Sequence, residues 1–531
     1  MTATPADYKL PHNSWYPNQL ESIEAVRAST KPIVMLELPP GGGKSSLSLA
    51  IINSSLSEKH SAVVTHTKQL QDQYIRTFPD MGLVMGRNNF RCIIHDSMNC
   101  AEGPCSAGWK CEYVWSCPYH KQKAAAAEKK ATIHNFAYWI TEVNNVGVFS
   151  KLDWLILDEA QLVESGLKNH VSISLYQPVL HDLGIRPLYD EAPVEEWAEW
   201  ADDNSTAVGQ QVQKLQVDLE KYDIADADPT KLREIARKRR TLEELVQLSK
   251  IDDAWLSEVS NHPRYGKRFN FRPALVNTLG MKYIFRHAER VLMMSATILG
   301  IEPPCASLGI DPASVDFIQM PHSFPVENRL VYYRPSVKVK RGMPDSDIQQ
   351  LVSDIDQVLF KYRGVKGLIH TSSYKLAKEI IARSKYAERL VSHNSSDRLE
   401  SLDKFKVSTR DLVMVSPSMT TGVNLVEDEC RFIIFAKIAF PDLGDKQIVK
   451  RMELPDGKEW YYWNTACTIV QASGRGVRSP TDHADTVLLD KNWDWFKHAA
   501  RKFLPKWFMA AVRNGGQETA EETLKRVLAT R

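Results

Sequence analysis

The sequence lacks any apolar run approaching the about 20 residues that a membrane-spanning helix needs. Its first residues, from Met1 to Asp7, also lack the basic and apolar regions of a secretion signal. The formal net charge is only +2 in 531 residues, so overall charge does not identify a nucleic acid as partner, although a local basic groove remains compatible with one. These absences predict an intracellular protein with no membrane partner, in which structural disulfides are uncommon.

Cysteine is scarce, with 8 residues in the whole chain, and its distribution is uneven. Five cysteines fall in one short stretch, at Cys92, Cys100, Cys105, Cys111 and Cys117. The other three, Cys305, Cys430 and Cys467, are isolated and are typical of small core residues. Four thiolates can hold either a zinc ion or an iron–sulfur cluster, so the stretch predicts a metal site of one of these kinds.

Short apolar segments alternate with helical ones over most of the chain. They lie at residues 33–38, 61–65, 154–157, 290–294, 367–370, 412–415 and 432–435. Buried strands that alternate with helices are typical of parallel α/β sheets, and ligands bind at the carboxyl ends of such strands. Because 531 residues exceed the size of one compact core, we expect about two to four domains.

The stretch 164–263 differs from the rest of the chain because it is polar, strongly charged and helical in character. Apolar residues such as Leu232, Ile235 and Leu242 recur there at helical spacing. We interpret the stretch as a helical insertion between two halves of one α/β domain. Its basic run, from Arg237 to Arg240, fits either a nucleic-acid contact or a solvated helix face, and the second interpretation is favoured.

The segment 37–45 reads Glu-Leu-Pro-Pro-Gly-Gly-Gly-Lys-Ser and lies between an apolar strand and a helical stretch. Its glycines are Gly41, Gly42 and Gly43. Glycines let backbone N–H groups close around phosphate oxygens, while Lys44 can neutralise the β- and γ-phosphates and the Ser45 hydroxyl can ligate Mg²⁺. Leu38 stands where the strict P-loop formula has glycine. The flanking strand and helix nevertheless favour an ATP site over a plain turn.

Two carboxylates, Asp158 and Glu159, follow the apolar strand at 154–157. Asp158 would hold Mg²⁺ through water, and Glu159 would orient and deprotonate the attacking water. Far along the chain, Arg475 and Arg478 are three residues apart and can reach one anion from a shared helix face. Arginine offers a permanent charge to a γ-phosphate in its transition state, and Gln471 at the start of this segment is a further candidate ATP contact.

Taken together, these motifs resemble those of the XPD/DinG family of superfamily-two iron–sulfur helicases, and phage-type members are the most similar. Residues 15–19, which end in Gln19, resemble the family's adenine-contacting motif. Residues 65–73 resemble motif Ia, which implies DNA-backbone contacts by Thr65 and Thr67. Residues 295–297 resemble the motif that couples hydrolysis to domain movement.

Two further segments complete the resemblance. Residues 370–374 resemble motif IV, which implies DNA contacts by Thr371 and Ser372, and residues 416–424 resemble motif V. The chain departs from the family at Thr421 and Asn424, where Glu and Asp are usual. It also has Gln161 where the Asp-Glu box commonly ends in His. These departures concern the coupling of hydrolysis to movement more than the fold.

The cysteine stretch lies between motif Ia and the Asp-Glu box, where this family places its iron–sulfur domain. Residues 86–92 resemble the family's approach to its first ligand, and Cys117-Pro-Tyr resembles its last. The resemblance implies a [4Fe-4S] cluster, for which we favour Cys92, Cys105, Cys111 and Cys117 as ligands and leave Cys100 unused. Zinc bound to four cysteines is the alternative.

The fold implied by the resemblance is α/β, with two RecA-like P-loop motor domains and two insertions in the first. The first motor domain is expected at 1–87, 126–163 and 264–325, a cysteine-rich iron–sulfur domain at 88–125, a helical arch-like insertion at 164–263 and the second motor domain at 326–531. The expected cofactors are ATP, Mg²⁺ and the [4Fe-4S] cluster.

The function implied is that of an ATP-dependent DNA helicase moving 5′ to 3′ on single-stranded DNA in replication, repair or recombination. We expect a monomer that binds single-stranded or forked DNA in the cytoplasm of a bacterial or phage-infected cell. The departures at Gln161, Thr421 and Asn424 keep an alternative open, a DNA-stimulated ATPase that remodels protein–DNA complexes without unwinding. A degenerate motor that only binds is disfavoured because Lys44 and Glu159 are intact.

Replacing the P-loop lysine tests the ATP assignment. Lys44→Ala should abolish ATP hydrolysis, because the phosphates lose their neutralising charge, and should leave single-strand binding intact. Phosphate release and DNA binding measured on the same preparation check both expectations. Unchanged hydrolysis would remove the P-loop assignment.

Overall fold

The computed structural model describes residues 3–219, 221, 223, 227–263, 265–419, 425, 427–477, 479 and 481–515. Its strands are β1 (Ile33–Glu37), β2 (Ser61–Thr65), β3 (Gly82–Val84), β4 (Ala131–Asn135), β5 (Leu152–Asp158), β6 (Ile173–Tyr176), β7 (Trp255–His262), β8 (Gly266–Pro273), β9 (Ala288–Ser295), β10 (Val315–Gln319), β11 (Val331–Tyr333), β12 (Gly367–His370), β13 (Leu390–Ser392), β14 (Val413–Ser416), β15 (Phe432–Phe435), β16 (Asp485–Leu488) and β17 (Val512–Asn514).

The α-helices of the described residues are α1 (Gln19–Ala28), α2 (Lys44–Ser54), α3 (Lys68–Thr77), α4 (Pro104–Ala107), α5 (Pro118–Ala127), α6 (Phe136–Asn145), α7 (Val163–Val171), α8 (Gln177–Asp182), α9 (Val194–Leu219), α10 (Pro229–Leu248), α11 (Gly280–Tyr283), α12 (Glu302–Leu308), α13 (Asp345–Lys361), α14 (Tyr374–Arg383), α15 (Arg398–Val407), α16 (Lys446–Glu453), α17 (Gly457–Ser473), α18 (Trp493–Ala499) and α19 (Lys506–Met509). Across these residues, no helix combines the length and apolar character that a membrane crossing requires.

The first sheet is parallel and has the strand order β10-β1-β9-β5-β2-β4-β3. Strand β1 lies inside it, between β9 and β10, and each of its residues is buried. Met35 belongs to the apolar cluster on one face, whereas Val34 and Leu36 belong to the cluster on the other. Since both faces are covered, a continuous apolar strand is required, as the sequence predicted.

The second sheet is also parallel, with the order β13-β14-β12-β15-β16-β11-β17. Strand β12 lies inside this sheet and begins at Gly367, where an added Cβ would lie 2.4 Å from the Phe432 ring. The glycine therefore allows the aromatic side chain to pack across the strand. These two parallel sheets confirm the predicted α/β class and form two α/β units.

The stretch between α7 and β9 contains the two long helices α9 and α10, as expected, and also a small antiparallel sheet of order β6-β8-β7. The sequence did not predict this sheet. In β8, Phe269 and Phe271 are buried beside Trp197 of α9. Their ring centroids lie 5.1 and 5.2 Å from that of Trp197, and the residues that alternate with them in the strand are more exposed. This alternation is a strand signal, which the many charged residues around it obscured.

Helices α9 and α10 pack against the cysteine-rich stretch. Arg239 donates a hydrogen bond to the Ala107 carbonyl at 3.2 Å, and Gln216 reaches the same oxygen at 3.2 Å. The neighbours of Arg239 in the basic run also have partners, since Lys238 pairs with Glu234 at 3.0 Å and Arg240 with Glu244 at 3.2 Å. The run therefore stabilises this helix and its contact with the cysteine-rich stretch.

The small sheet also contacts the second α/β unit. Arg272 of β8 forms a two-pronged pair with Asp445, at 2.9 and 3.1 Å, and a further pair with Glu258 at 2.7 Å. Gln447 of α16 donates to the Pro273 carbonyl at 2.6 Å. Lys450, one helical turn on, donates to the Trp255 carbonyl at 3.0 Å. The insertion thus contacts both the cysteine-rich stretch and the second α/β unit.

Removing the arginine tests this contact. Arg272→Ala should speed amide hydrogen exchange in β7 and β8 by about two- to fivefold, since a partly exposed ion pair contributes up to about 1 kcal/mol. Lys267→Ala is the matched control, because Lys267 pairs with Asp190 within the insertion itself. Equal exchange in the two variants would contradict a stabilising role for the Arg272 contact.

Candidate functional site

The P-loop connects β1 to α2 at the carboxyl edge of the first sheet. Gly43 has φ +71°, and an added Cβ there would lie 2.5 Å from the Gln19 side chain. At Gly42, an added Cβ would lie 2.6 Å from Leu38. Both positions therefore require glycine. The departure at Leu38 is accommodated because its side chain is buried directly under the loop.

The Gln19 side chain holds the P-loop in place by a hydrogen bond. Its side-chain amide donates to the Gly43 carbonyl at 2.9 Å and accepts from the Tyr16 N–H at 3.1 Å. The side chain is only 1% exposed. In this arrangement Gln19 positions the P-loop, and its expected contact with adenine stays a prediction.

A cleft of about 480 Å³ opens in front of the P-loop, and both α/β units line it. Its lining includes Gly41, Gly42, Gly43, Lys44, Ser45, His66, Thr67, Asp158, Glu159, Gln471 and Arg475. The two units approach closely here, since a Cβ added at Gly474 would lie 2.9 Å from Pro40 of the P-loop. Most of the predicted ATP-site residues are thus together in one cleft.

Asp158 ends β5 and is buried beneath the cleft. Burial, reinforced by the charge of Glu159, raises its pKa to about 6, while Lys44 opposes the rise. Its Oδ2 accepts from the Tyr74 hydroxyl at 3.3 Å, and its Oδ1 accepts from the Glu159 N–H at 3.0 Å. A buried carboxylate with a raised pKa gains when a divalent cation binds, so the geometry suits Mg²⁺.

Glu159 has a left-handed backbone, with φ +58°, which turns its side chain into the cleft. Its Oε2 accepts two amide hydrogen bonds, from Gln161 at 2.8 Å and from Gln471 at 2.9 Å. Gln161 in turn accepts from the Ser295 hydroxyl at 2.5 Å. Side chains from both α/β units therefore hold the carboxylate of Glu159.

This arrangement gives Gln161 a role that the sequence did not reveal. In the sequence, Gln161 stands where histidine is usual, and it was interpreted only as a departure from the family. Its carboxamide both donates to Glu159 and accepts from Ser295, so it connects the Asp-Glu box with the segment 295–297. The spacing of two residues from Glu159 was the available signal. Unlike histidine, an amide keeps both hydrogen-bonding functions at every physiological pH.

His66 is a second cleft residue that the sequence reasoning missed. Its ring stacks on Phe136 with centroids 4.8 Å apart. Burial lowers the pKa of His66 to about 4, although the nearby Glu159 charge opposes this shift. The imidazole is therefore neutral near pH 7 and adds no charge to the cleft.

Arg478 is the second arginine expected to contact the γ-phosphate. It lies outside the described residues, as do Thr421 and Asn424. Arg475 is described, is 4% exposed and lines the cleft opposite the P-loop. It also lies near His370, where burial and the Arg475 charge lower the pKa of the imidazole to about 3. The arginine therefore faces a neutral histidine.

The four candidate DNA contacts occupy the carboxyl ends of β2 and β12. Thr65 and Thr371 are fully buried and donate to the carbonyls of Thr67 and Ser373, at 3.3 and 3.1 Å. Thr67 caps α3 by accepting from the Leu70 N–H. Ser372 has a left-handed backbone, with φ +58°, next to buried Thr371. Their predicted DNA contacts stay predictions, and burial places the two threonines in loop-shaping positions.

The five clustered cysteines line one small cavity, together with Arg87 and His120. Cys100 belongs to this set, with its Sγ 3.9 Å from that of Cys117. Burial and then Cys117 raise the pKa of Cys100 to about 12, and burial and then Cys111 raise that of Cys105 to about 11. Among the described residues, no group of three or more His, Cys, Asp or Glu side chains is arranged to hold a single metal ion.

One segment of the sequence and the fold are similar to those of known proteins. Residues 357–511 match the helicase C-terminal domain family. The matched residues lie within the second α/β unit. The fold of the chain is similar to that of a solved XPD helicase, with TM-score 0.60 and 14% identity over 91% of this chain and 97% of that chain. No curated protein matches this chain in sequence.

Two further solved structures have a similar fold. An apo XPD has TM-score 0.60 and 14% identity, over 91% of this chain and 98% of that chain. Xpd4 of S. tokodaii has TM-score 0.57 and 15% identity, over 94% of this chain and 99% of that chain. These likenesses show the fold, and the match at 357–511 shows a helicase C-terminal domain in the second α/β unit.

Gln161 allows a direct test of the carboxylate network. Gln161→Leu should lower the turnover of ATP by about 10- to 100-fold, because a misplaced catalytic group costs up to about 100-fold. ATP binding, measured with a fluorescent nucleotide, should change little. Gln73→Leu is the control, since Gln73 lines the same cleft away from Glu159. Equal turnover in the wild type and Gln161→Leu would show that the hydrogen bond does not position Glu159.

Proposed function

We propose that this helicase unwinds DNA by moving along one strand, driven by ATP hydrolysis. The observation that carries the proposal is the cleft in which the P-loop and the Asp-Glu box of the first sheet face Gln471 and Arg475 from the second. A nucleotide bound there would touch both units. Its hydrolysis would therefore change how they sit against each other.

In the proposed reaction, each cleft residue has one role. Lys44 neutralises the β- and γ-phosphates, while Ser45 and Asp158 hold Mg²⁺. Glu159 orients the attacking water and accepts its proton as the oxygen bonds to the γ-phosphorus and the bond to ADP breaks. Arg475 stabilises the charge that develops on the transferred group, and we assign Arg478 to the same task.

The contacts between the two units support coupling of hydrolysis to movement. Glu164 of α7 pairs with Lys168 at 2.7 Å and accepts from the Trp460 indole of α17 at 3.0 Å. The Lys168 ammonium also lies 5.4 Å from the centre of the Trp460 ring. We propose 1–87, 126–163 and 264–325 as the first motor domain and 326–531 as the second. Strand β8 is an exception within 264–325, because it pairs with β6 and β7 and belongs to the insertion.

We further propose a [4Fe-4S] cluster in the cysteine-rich domain, 88–125. The donor set fits this group, because five thiols surround one cavity and four thiolates hold a cubane. Burial, followed by the neighbouring thiols, raises the pKa of Cys100 and Cys105, and the positive charge of iron would offset both effects. Cys92, Cys105, Cys111 and Cys117 remain the proposed ligands, and zinc remains the alternative. When bound, the cluster would supply a rigid cross-link between its ligands.

DNA as the substrate and a 5′ to 3′ direction rest on the family resemblance. The passage for the strand would lie between the cysteine-rich domain and the insertion at 164–263, which contact each other through Arg239. Trp115 in the loop between Cys111 and Cys117 is 85% exposed, and an exposed indole can stack on an unpaired base. These features favour DNA strand separation near that domain.

Unwinding is tested by displacement of a labelled strand from forked duplexes. A fork with a 5′ single-stranded arm should be opened in the presence of ATP and Mg²⁺, and one with only a 3′ arm should not. Lys44→Ala is the control without hydrolysis. DNA-stimulated ATP hydrolysis without displacement would favour the alternative, a translocase that remodels protein–DNA complexes.

The metal proposal is tested on protein purified without oxygen. A broad absorption near roughly 400 nm with about four irons per chain is expected of a cubane on four thiolates. Cys105→Ser should lose iron, Cys100→Ser should keep it, and Cys305→Ser is the matched control outside the cavity. Retention of iron in Cys105→Ser with loss in Cys100→Ser would place Cys100 among the ligands. A colourless protein with one zinc would contradict the cluster.

A further inference from the structure

Glu37 is a buried carboxylate at the end of β1, immediately before the P-loop, and the mechanism above does not use it. It is 1% exposed. Burial raises the pKa of Glu37, while hydrogen bonds from Leu299, Gln319 and Ile298 act in the opposite direction. All three partners offer N–H groups, which the deprotonated carboxylate can accept together.

The hydrogen bonds of Glu37 divide between two places. Its Oε1 accepts from the Gln319 side chain of β10 at 2.7 Å, within the first sheet. Its Oε2 accepts from the Leu299 N–H at 2.6 Å, in the loop that follows β9. This loop continues the segment 295–297, whose Ser295 bonds to Gln161. Glu37 therefore joins the strand that carries the P-loop to the segment that contacts the catalytic carboxylate network.

The same loop is held from the other side by the second motor unit. The Trp463 indole of α17 donates to the Ile298 carbonyl at 2.7 Å. The Cys467 thiol donates to the Thr297 carbonyl at 3.3 Å. Leu299 is 5% exposed and belongs to the apolar cluster of the second unit that also contains Trp463. The loop thus spans the boundary between the two motor units.

Leu299 also has an uncommon backbone, with φ +55°. A left-handed conformation is unfavourable for a side chain of this kind and persists only where surrounding contacts hold it. The bond from its N–H to Glu37 and the burial of its side chain in the second unit are such contacts. The residue is consequently fixed by both units at once.

We infer that Glu37 is a positioning residue that couples the P-loop to the second motor unit through the loop at 297–299. The inference rests on the proposed function, because the coupled movement is that of the DNA motor. A shift of the P-loop strand displaces the Leu299 backbone through the carboxylate, and the loop transmits it to α17 through Trp463. Glu37 does not line the cleft in which the nucleotide would bind.

The test compares ATP hydrolysis with and without single-stranded DNA in Glu37→Leu. The substitution removes both acceptor oxygens, so the Leu299 N–H loses its partner and the loop is released. We expect DNA stimulation to fall by about 5- to 150-fold, the usual range of coupling between sites, with ATP affinity little changed. Gln319→Leu is the matched control, since it removes the other hydrogen bond of the same carboxylate and leaves the loop in place.

Trp463→Phe probes the loop from the second unit and remains informative if Glu37→Leu folds poorly. Because both side chains act through one loop, each single change should weaken DNA stimulation, and the double variant should be little worse than either alone. Equal loss of basal and DNA-stimulated turnover in Glu37→Leu, normal stimulation in either variant, or additive losses would overturn the inference. A wild type that DNA does not stimulate would overturn the proposed function and, with it, the coupling.

Discussion

The Glu159 carboxylate lies where the two α/β units meet. It needs hydrogen-bond donors, and side chains from both units are placed to supply them. Gln161 and Gln471 each donate to its Oε2, one from each unit. Removing a donor from a half-buried carboxylate costs free energy. The two units are therefore held in a fixed relative position when both amides are in place. Catalytic geometry and domain arrangement therefore depend on the same contact.

Several single polar contacts cross the boundary between the units, beside the apolar contact that Leu299 makes with the second unit. Trp460 and Trp463 donate their indole N–H groups across it, to Glu164 and to the Ile298 carbonyl. Directional contacts of this kind can be exchanged as the units move, whereas a close-packed apolar interface resists small displacements. The insertion adds a second connection through Arg272 and Asp445. Such a boundary suits a motor that must open and close.

Much of the fold was predictable because its signals are local. Buried parallel strands such as β1 and β12 are continuous apolar runs. The glycines before Lys44 supply the positive φ angles that the loop needs at Gly41 and Gly43. The sheet β6-β8-β7 was missed because its inward residues, such as Phe271, alternate with charged ones in a region of long charged helices. The contact of Gln161 with Ser295 and that of Glu159 with Gln471 were missed because the partners are distant in the chain.

The sequence by itself determined the α/β class, the P-loop, the Asp-Glu box and the clustering of cysteines, because each depends on neighbouring residues and their spacing. Tertiary structure alone decided which distant groups meet. It brought Arg475 into the cleft with Lys44 and buried Glu37 against Leu299. It also placed Cys100 in the same cavity as the other four clustered cysteines. Such meetings depend on how the sheets and insertions pack, and no local pattern in the chain records them.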